Sequence, residues 1–319
     1  MMASEVYLRE GRFHQKYGDL EFDYITIDGI GFPPFPPVLV EGGFIQRIKD
    51  ILNIDSRPDD VLLATYQKCG THWTNEILNM LLQGNASYKE ESKMNYMLEA
   101  LHDLKIIDRA KFPRVLNTHI PYKWFPRKHI ENGYKIVHTT RNPKDAYTSW
   151  YHHQKLALEM GPNTKHMTWD QYFEHAVMGK KAVYGSWFDY EKELSLAKEE
   201  NKNIYTLHFE NLKKDPETEI KGLAKFLGVD ASEELVRDIA DKCMFQNLKK
   251  ADSEMKRTNP DMMKAFAEVQ KIAPGRDKPV MFRKGIVGDW KNHFTVAQNE
   301  QFDALCDKEL KDTKVKIIS

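Results

Sequence analysis

Three absences narrow the field before any motif is considered. The chain holds only 3 cysteines in 319 residues, Cys69, Cys243 and Cys306. They are odd in number and far apart, with no C-x-x-C, so neither a disulfide framework nor a zinc site is expected, and a reducing compartment fits. No run approaches the length of apolar sequence that spans a bilayer. The opening MMASEVYLREGRF lacks an apolar signal core. A cytoplasmic location without membrane attachment follows as an expectation. Charge of one sign is also missing: Lys plus Arg and Asp plus Glu each number 47. A nucleic-acid partner, which calls for a basic excess, is not expected. A local basic pocket for a small polyanion is compatible with that balance.

What is present is the pattern of an α/β protein. Apolar residues make up 41% of the chain, enough for a sizeable core. No linker composition or internal repeat divides it, so one domain over residues 1–319 is the simplest reading. Residues 1–40 contain the proline-aromatic run GIGFPPFPP (29–37), which excludes helix there. They read as an irregular arm laid over the body.

Four strand-length runs follow: Val61–Thr65, Arg114–Thr118, Lys135–Thr140 and Asn203–Leu207. Helical patterns follow the first, third and fourth. After the last, Asp215-Pro216 reads as a helix cap with proline at the first position, and Gly228 as the stop. Strands alternating with helices predict a central parallel sheet flanked by helices.

Ligands of open α/β sheets bind at the C-terminal ends of the strands. There the sequence places TYQKCGTHW (65–73), His119, RNPK (141–144) and His208-Phe209-Glu210. Cations and hydrogen-bonding groups thus converge on one rim, as a phosphorylated ligand requires. In the first segment a glycine permits close backbone approach, helix-start amides bind anions, and Lys68 adds charge. It is not a Walker A loop, because a single glycine follows the lysine. Arg141 suits bidentate phosphate contact. RKGIVGDWKN (283–292) sets two cations beside two glycines, a pattern suited to an anion-binding loop.

Taken together, TYQKCGTHW, RNPKDAYTSWYHH and RKGIVGDWKN resemble the cytosolic sulfotransferase family over most of the chain. The resemblance implies a P-loop-like nucleotide-binding sulfotransferase fold. It also implies 3′-phosphoadenosine 5′-phosphosulfate (PAPS) as donor and a small phenol, alcohol or amine as acceptor. Matching positions would take the family's roles. Lys68 would contact the leaving phosphate and the transferring group. Gly70 and Thr71, with the amides of Cys69 and His72, would hold the 5′-phosphate. Trp73 and Phe245 would flank adenine, while Phe209 and Cys243 stand at secondary nucleotide contacts. Arg141, Ser149, Arg283, Lys284 and Gly285 would hold the 3′-phosphate. His119 would be the catalytic base. KNHFTVAQNE (Lys291–Glu300) resembles the family's dimerisation pattern and implies a homodimer.

The chain departs from the family at Gln67, Cys69, His72, Asn117, Phe209 and Cys243. Asn117 stands where lysine is usual. Phe32, Phe35 and Tyr96 are candidate acceptor-pocket aromatics, and Ser87–Glu99 is expected to contribute to that pocket. The adjacent pair His152-His153 does not share a helix face and is not expected to bind metal. Other readings are a dehydratase acting through a transient sulfate ester, a P-loop kinase, and a nucleotide-binding module without catalysis. The membrane-anchored Golgi carbohydrate sulfotransferases share the donor but lack support here.

Overall fold

The structure is a computed structural model. It describes residues 7–17, 20–33, 42–89, 96–101, 103–110, 113–158, 167–180, 182–258 and 282–319. The first element group corrects the expectation of an irregular arm. Strands β1 (Glu10–Tyr17), β2 (Leu20–Ile27) and β3 (Ile30–Gly31) form an antiparallel sheet. The register pairs Ile27 with Ile30 across the two-residue turn Asp28-Gly29, whose φ values are 48° and 79°. Asp-Gly with both residues left-handed is a hairpin signal of the kind that matches strand twist. It lies just before the proline run and is overshadowed by it. Tyr24, Ile27 and Phe32 are buried and tie this sheet to the body.

Along the chain follow α1 (Gly43–Leu52), β4 (Val61–Thr65), α2 (Thr71–Gln83), β5 (Val115–Thr118), α3 (Arg127–Glu131), β6 (Lys135–Thr140) and α4 (Pro143–Leu158). Next come α5 (Trp169–Tyr172), α6 (Trp187–Glu200), β7 (Ile204–His208), α7 (Phe209–Lys214), α8 (Pro216–Leu227), α9 (Glu233–Lys242) and α10 (Phe245–Thr258). The last helix is α11 (Val296–Leu310). β4 to β7 form a parallel sheet of order β5-β4-β6-β7, matching the predicted runs to within a residue. Helix α8 starts and stops as predicted: the Asp215 carboxylate accepts the Thr218 N–H at 3.1 Å, and Gly228 ends the helix at φ 72°.

The two faces of each strand bury into different clusters, as the two-residue side-chain period demands. Leu62, Ala64, Leu116 and Ile136 meet α1, α4, α6 and α11 through Ile48, Tyr147, Leu194 and Phe302. Val61, Leu63, Val115 and Val137 meet α2, α8 and α9 through Leu78, Leu223 and Ile239. At the N-terminal edge of the sheet the buried Arg114 guanidinium forks onto Asp60, Nε to Oδ1 at 2.7 Å and Nη2 to Oδ2 at 2.5 Å. Strand β4 is flanked by β5 on one side and β6 on the other. The chain therefore crosses in opposite directions from β4, which opens a crevice at its C-terminal end.

Candidate active site

That crevice is a cavity of about 1170 Å³. Its floor is the turn between β4 and α2. Lys68 has φ 64° and Gly70 φ 109°, so two left-handed residues turn the backbone at the helix start. A side chain at Gly70 would be strained by its φ and would meet the Phe209 ring at 3.1 Å. The non-glycine Lys68 in that region is a local strain of the sort concentrated at functional sites. The turn is cross-braced from β4, where the Thr65 and Thr71 hydroxyls lie 2.7 Å apart.

Arg141 ties the loops together. Its Nη1 donates to the Lys68 carbonyl at 3.2 Å and its Nη2 to the Ile286 carbonyl at 2.8 Å. The guanidinium lies 4.2 Å over the Phe209 ring. The C-terminal loop is fixed to α4 by Asp145, whose carboxylate accepts the N–H groups of Gly288 at 2.7 Å and Trp290 at 3.0 Å. Within the loop, buried Asp289 holds Arg283 at 2.5 Å and Lys284 at 2.6 Å. Burial alone would raise the Asp289 carboxyl, but hydrogen bonds from Lys284, Asn292 and Arg283 hold it well below the usual carboxylate range. Both cations are thereby aimed by a fixed charge.

The cavity carries positive charge in excess of what its own carboxylates neutralise. Burial, then the neighbouring Arg141 and Arg283 charges, pull the Lys68 ammonium down to about 8. Burial likewise lowers Arg141. The Nε groups of Arg141 and Arg283 are buried without a hydrogen-bond partner among the described residues. Desolvated cations with donors to spare are the signature of a site shaped for a multiply charged anion. Aromatic rings line the same space: Trp73 sits edge-on to Phe209 at 5.4 Å, and Phe245 to Phe282 at 5.9 Å.

His119 follows β5 on the same wall. Its Nδ1 lies 2.7 Å from the Thr65 carbonyl oxygen. A carbonyl only accepts, so Nδ1 carries a proton, and in the neutral imidazole the lone pair is then on Nε2. The ring is packed edge-to-face against Tyr184 at 5.4 Å, and Tyr184 itself holds a left-handed φ of 63°.

Of the residues singled out by sequence, Lys68, Gly70, Thr71, His72, Trp73, His119, Arg141, Ser149, Phe209, Cys243, Phe245, Arg283, Lys284 and Gly285 line this one cavity. The Cys69 thiol does not: it is wholly buried, 3.8 Å from the Gln67 carbonyl, so only its backbone serves the loop. Phe32 is also wholly buried, tilted against Phe44 and stacked on Trp124, and is core rather than pocket wall. Tyr96 is packed against the core and is not among the described lining residues. Phe35 lies outside the described residues. Pro33, Gln67, Met97 and Tyr184 also line the cavity. Asn117 is a buried strand residue whose carbonyl accepts the Leu98 N–H at 3.0 Å. His152 pairs with His293, Nε2 to Nε2, at 3.2 Å. No group of three potential ligands for a metal occurs among the described residues.

Sequence reasoning did not single out Tyr184 or Asp289, and it took in Met97 and Glu99 only as part of the Ser87–Glu99 stretch, without a role for either. Only Asp289 lies in a motif, between two residues already singled out. The others sit in stretches without a motif and reach the site through the fold alone.

The sulfotransferase domain family matches residues 58–314. The chain belongs to the sulfotransferase family. It is 34% identical to sulfotransferase 1B1 of Canis lupus familiaris, over 86% of this chain and 90% of that protein. It is equally 34% identical to cytosolic sulfotransferase 1 of Danio rerio, over 86% and 90%. The mouse sulfotransferase SULT7A1, solved in complex with PAP, matches with TM-score 0.65 and 26% identity, covering 94% of this chain and 96% of that one. A retinol dehydratase, solved with retinol and PAP, shares the fold at TM-score 0.72 and 21% identity, covering 92% of each chain. This sulfotransferase thus has the parallel sheet with flanking helices expected from its sequence. No helix among its described residues is long and apolar enough to cross a membrane.

Proposed function

We propose that this sulfotransferase uses PAPS to sulfate a hydroxyl or amine of a small acceptor, with His119 as the base. The carrying observation is the Nδ1 contact of His119 with the Thr65 carbonyl, which leaves Nε2 as an acceptor in the cavity shared with Lys68. PAPS supplies the sulfuryl group: its S–O bond to the 5′-phosphate breaks as a bond from the acceptor oxygen or nitrogen to sulfur forms.

The chain's residues do the rest. His119 Nε2 takes the acceptor's proton and becomes imidazolium, stabilised by its Nδ1–H on the carbonyl. Lys68, with Gly70, Thr71 and the loop amides, balances the charge left on the 5′-phosphate. Arg141, Ser149, Arg283, Lys284 and Gly285 hold the 3′-phosphate, and Trp73 and Phe245 enclose adenine. Positioning and fixed charge thus supply the catalysis. A cytoplasmic location and a single domain are part of the same reading. So is a homodimer through Lys291–Glu300, where Val296 is 78% exposed at the start of α11.

The test is His119→Ala. Transfer to a good acceptor, followed with labelled PAPS, is expected to fall about 10²- to 10⁴-fold. Calorimetric affinity for 3′-phosphoadenosine 5′-phosphate is expected to stay within about twofold, because the base meets the acceptor and not the nucleotide. Ordinary turnover by the folded variant defeats the proposal.

A further inference from the structure

A carboxylate with no ion pair among the described residues lies beneath the candidate base. Glu99 is 0% exposed. Its Oε1 accepts the His119 backbone N–H at 2.7 Å, and its Oε2 accepts the Thr118 hydroxyl at 2.8 Å. The Thr118 oxygen in turn accepts the Ile120 N–H at 3.2 Å. One side chain, twenty positions earlier in sequence, thus spans the three residues that carry the chain off β5.

The segment bearing Glu99 is itself held to β5. Met97 bridges to Asn117, and the Leu98 N–H donates to the Asn117 carbonyl at 3.0 Å. Met97 lines the same cavity as His119. This part of the cavity wall and the candidate base are therefore one hydrogen-bonded unit. His119 is clamped at two points, its ring by Thr65 and its backbone by Glu99.

We infer that Glu99 is a positioning residue of the sulfuryl-transfer reaction: it fixes the backbone of His119 so that Nδ1 stays on the Thr65 carbonyl and Nε2 faces the acceptor. This rests on the reading of His119 as the base. Reach is what the geometry demands, since Oε1 meets the His119 N–H and Oε2 the Thr118 hydroxyl, and neither partner is a cation. Burial pushes the Glu99 carboxyl up to about 7, against the hydrogen bonds from His119, Thr118 and Tyr184 that lower it. Near neutral pH a large share of molecules then carries the neutral acid, for which an amide is a close substitute. Glutamine can accept from His119 through its oxygen and donate to the Thr118 oxygen. Aspartate keeps the charge but is one methylene too short to meet both donors.

The experiment compares Glu99→Gln, Glu99→Asp and His119→Ala, alone and combined, after far-UV circular dichroism and nucleotide calorimetry confirm folding. E99Q is expected to keep kcat within about threefold of wild type, whereas E99D loses about tenfold or more, within the range of general-base catalysis. Nucleotide affinity is unchanged in both. In the H119A background E99D produces no further loss, because residues acting as a unit are not additive. The His119 Nδ1–H resonance, identified by its disappearance in H119A, persists in E99Q.

An E99D variant as fast as wild type overturns the inference. So does an E99Q slower than E99D, loss of the Nδ1–H signal in E99Q, or an E99D that slows H119A further. Full activity of H119A defeats the functional reading itself. An inactive H119A beside a fully active E99D defeats only the role of Glu99.

Discussion

The Lys68 ammonium offers the most exacting quantitative test of the cation cluster. Burial and the charges of Arg141 and Arg283 hold it near 8 in the ligand-free protein. A bound polyphosphate would favour the charged form and raise that value. The sign follows. Below pH 8 the lysine is already charged, so binding costs no proton uptake and affinity is at its plateau. As pH rises through 8 the free protein loses the charge, and binding must recover a proton from solvent. With Lys68 fully charged in the complex, affinity falls by a factor of about 10 between pH 7 and pH 9, or about 1.4 kcal/mol. The ligand contributes little over most of the interval, because the second ionisation of a phosphate ester, near 6, is about nine-tenths complete at pH 7 and about 99% complete at pH 8.

Calorimetry with 3′-phosphoadenosine 5′-phosphate, repeated in buffers of different ionisation enthalpy, reads both quantities. Proton uptake should rise from about 0.1 per site at pH 7 to about 0.9 at pH 9. Lys68→Met should bind more weakly at pH 7 and lose this pH dependence. Constant wild-type affinity and no uptake from pH 7 to 9 would refute the reasoning. Full pH dependence surviving in K68M would refute it equally.

Other outcomes follow from particular contacts. Gly285 has φ 63°, and a Cβ there would come within 2.2 Å of the Phe245 ring; Gly285→Ala should displace that ring and weaken nucleotide binding about tenfold or more by calorimetry, with little change in kcat at saturating donor. Asp60→Ala strands the wholly buried Arg114; chemical denaturation should show a loss of about 3–5 kcal/mol, while nucleotide affinity of the folded fraction is preserved. Val296→Glu places a charge on the exposed start of α11; sedimentation should show a dimeric wild type and a monomeric variant, and a monomeric wild type at micromolar concentration would rule out the proposed interface.

Much of this was legible in the sequence because it is local. A continuous apolar run such as Val61–Thr65 has to be buried on both faces, which specifies a central parallel strand. The positions of Lys68, Gly70 and Arg141 follow from where strands end and helices begin, a matter of a few residues of backbone. The β2–β3 hairpin was local too, and its Asp-Gly turn was readable. The neighbouring prolines dominated the reading of that stretch.

Tertiary structure alone decided the rest. Phe32 carries the same aromatic character whether it lines a pocket or fills a core; packing against Phe44, Trp124 and Tyr184 made it core. Glu99 and Tyr184 carry no motif, because their chemistry is supplied by partners 20 and 65 residues away. Those partners meet only after the chain has crossed the sheet in both directions from β4. Side-chain convergence of that kind depends on crossover geometry and on which face each residue presents, and neither is encoded in a short window of sequence.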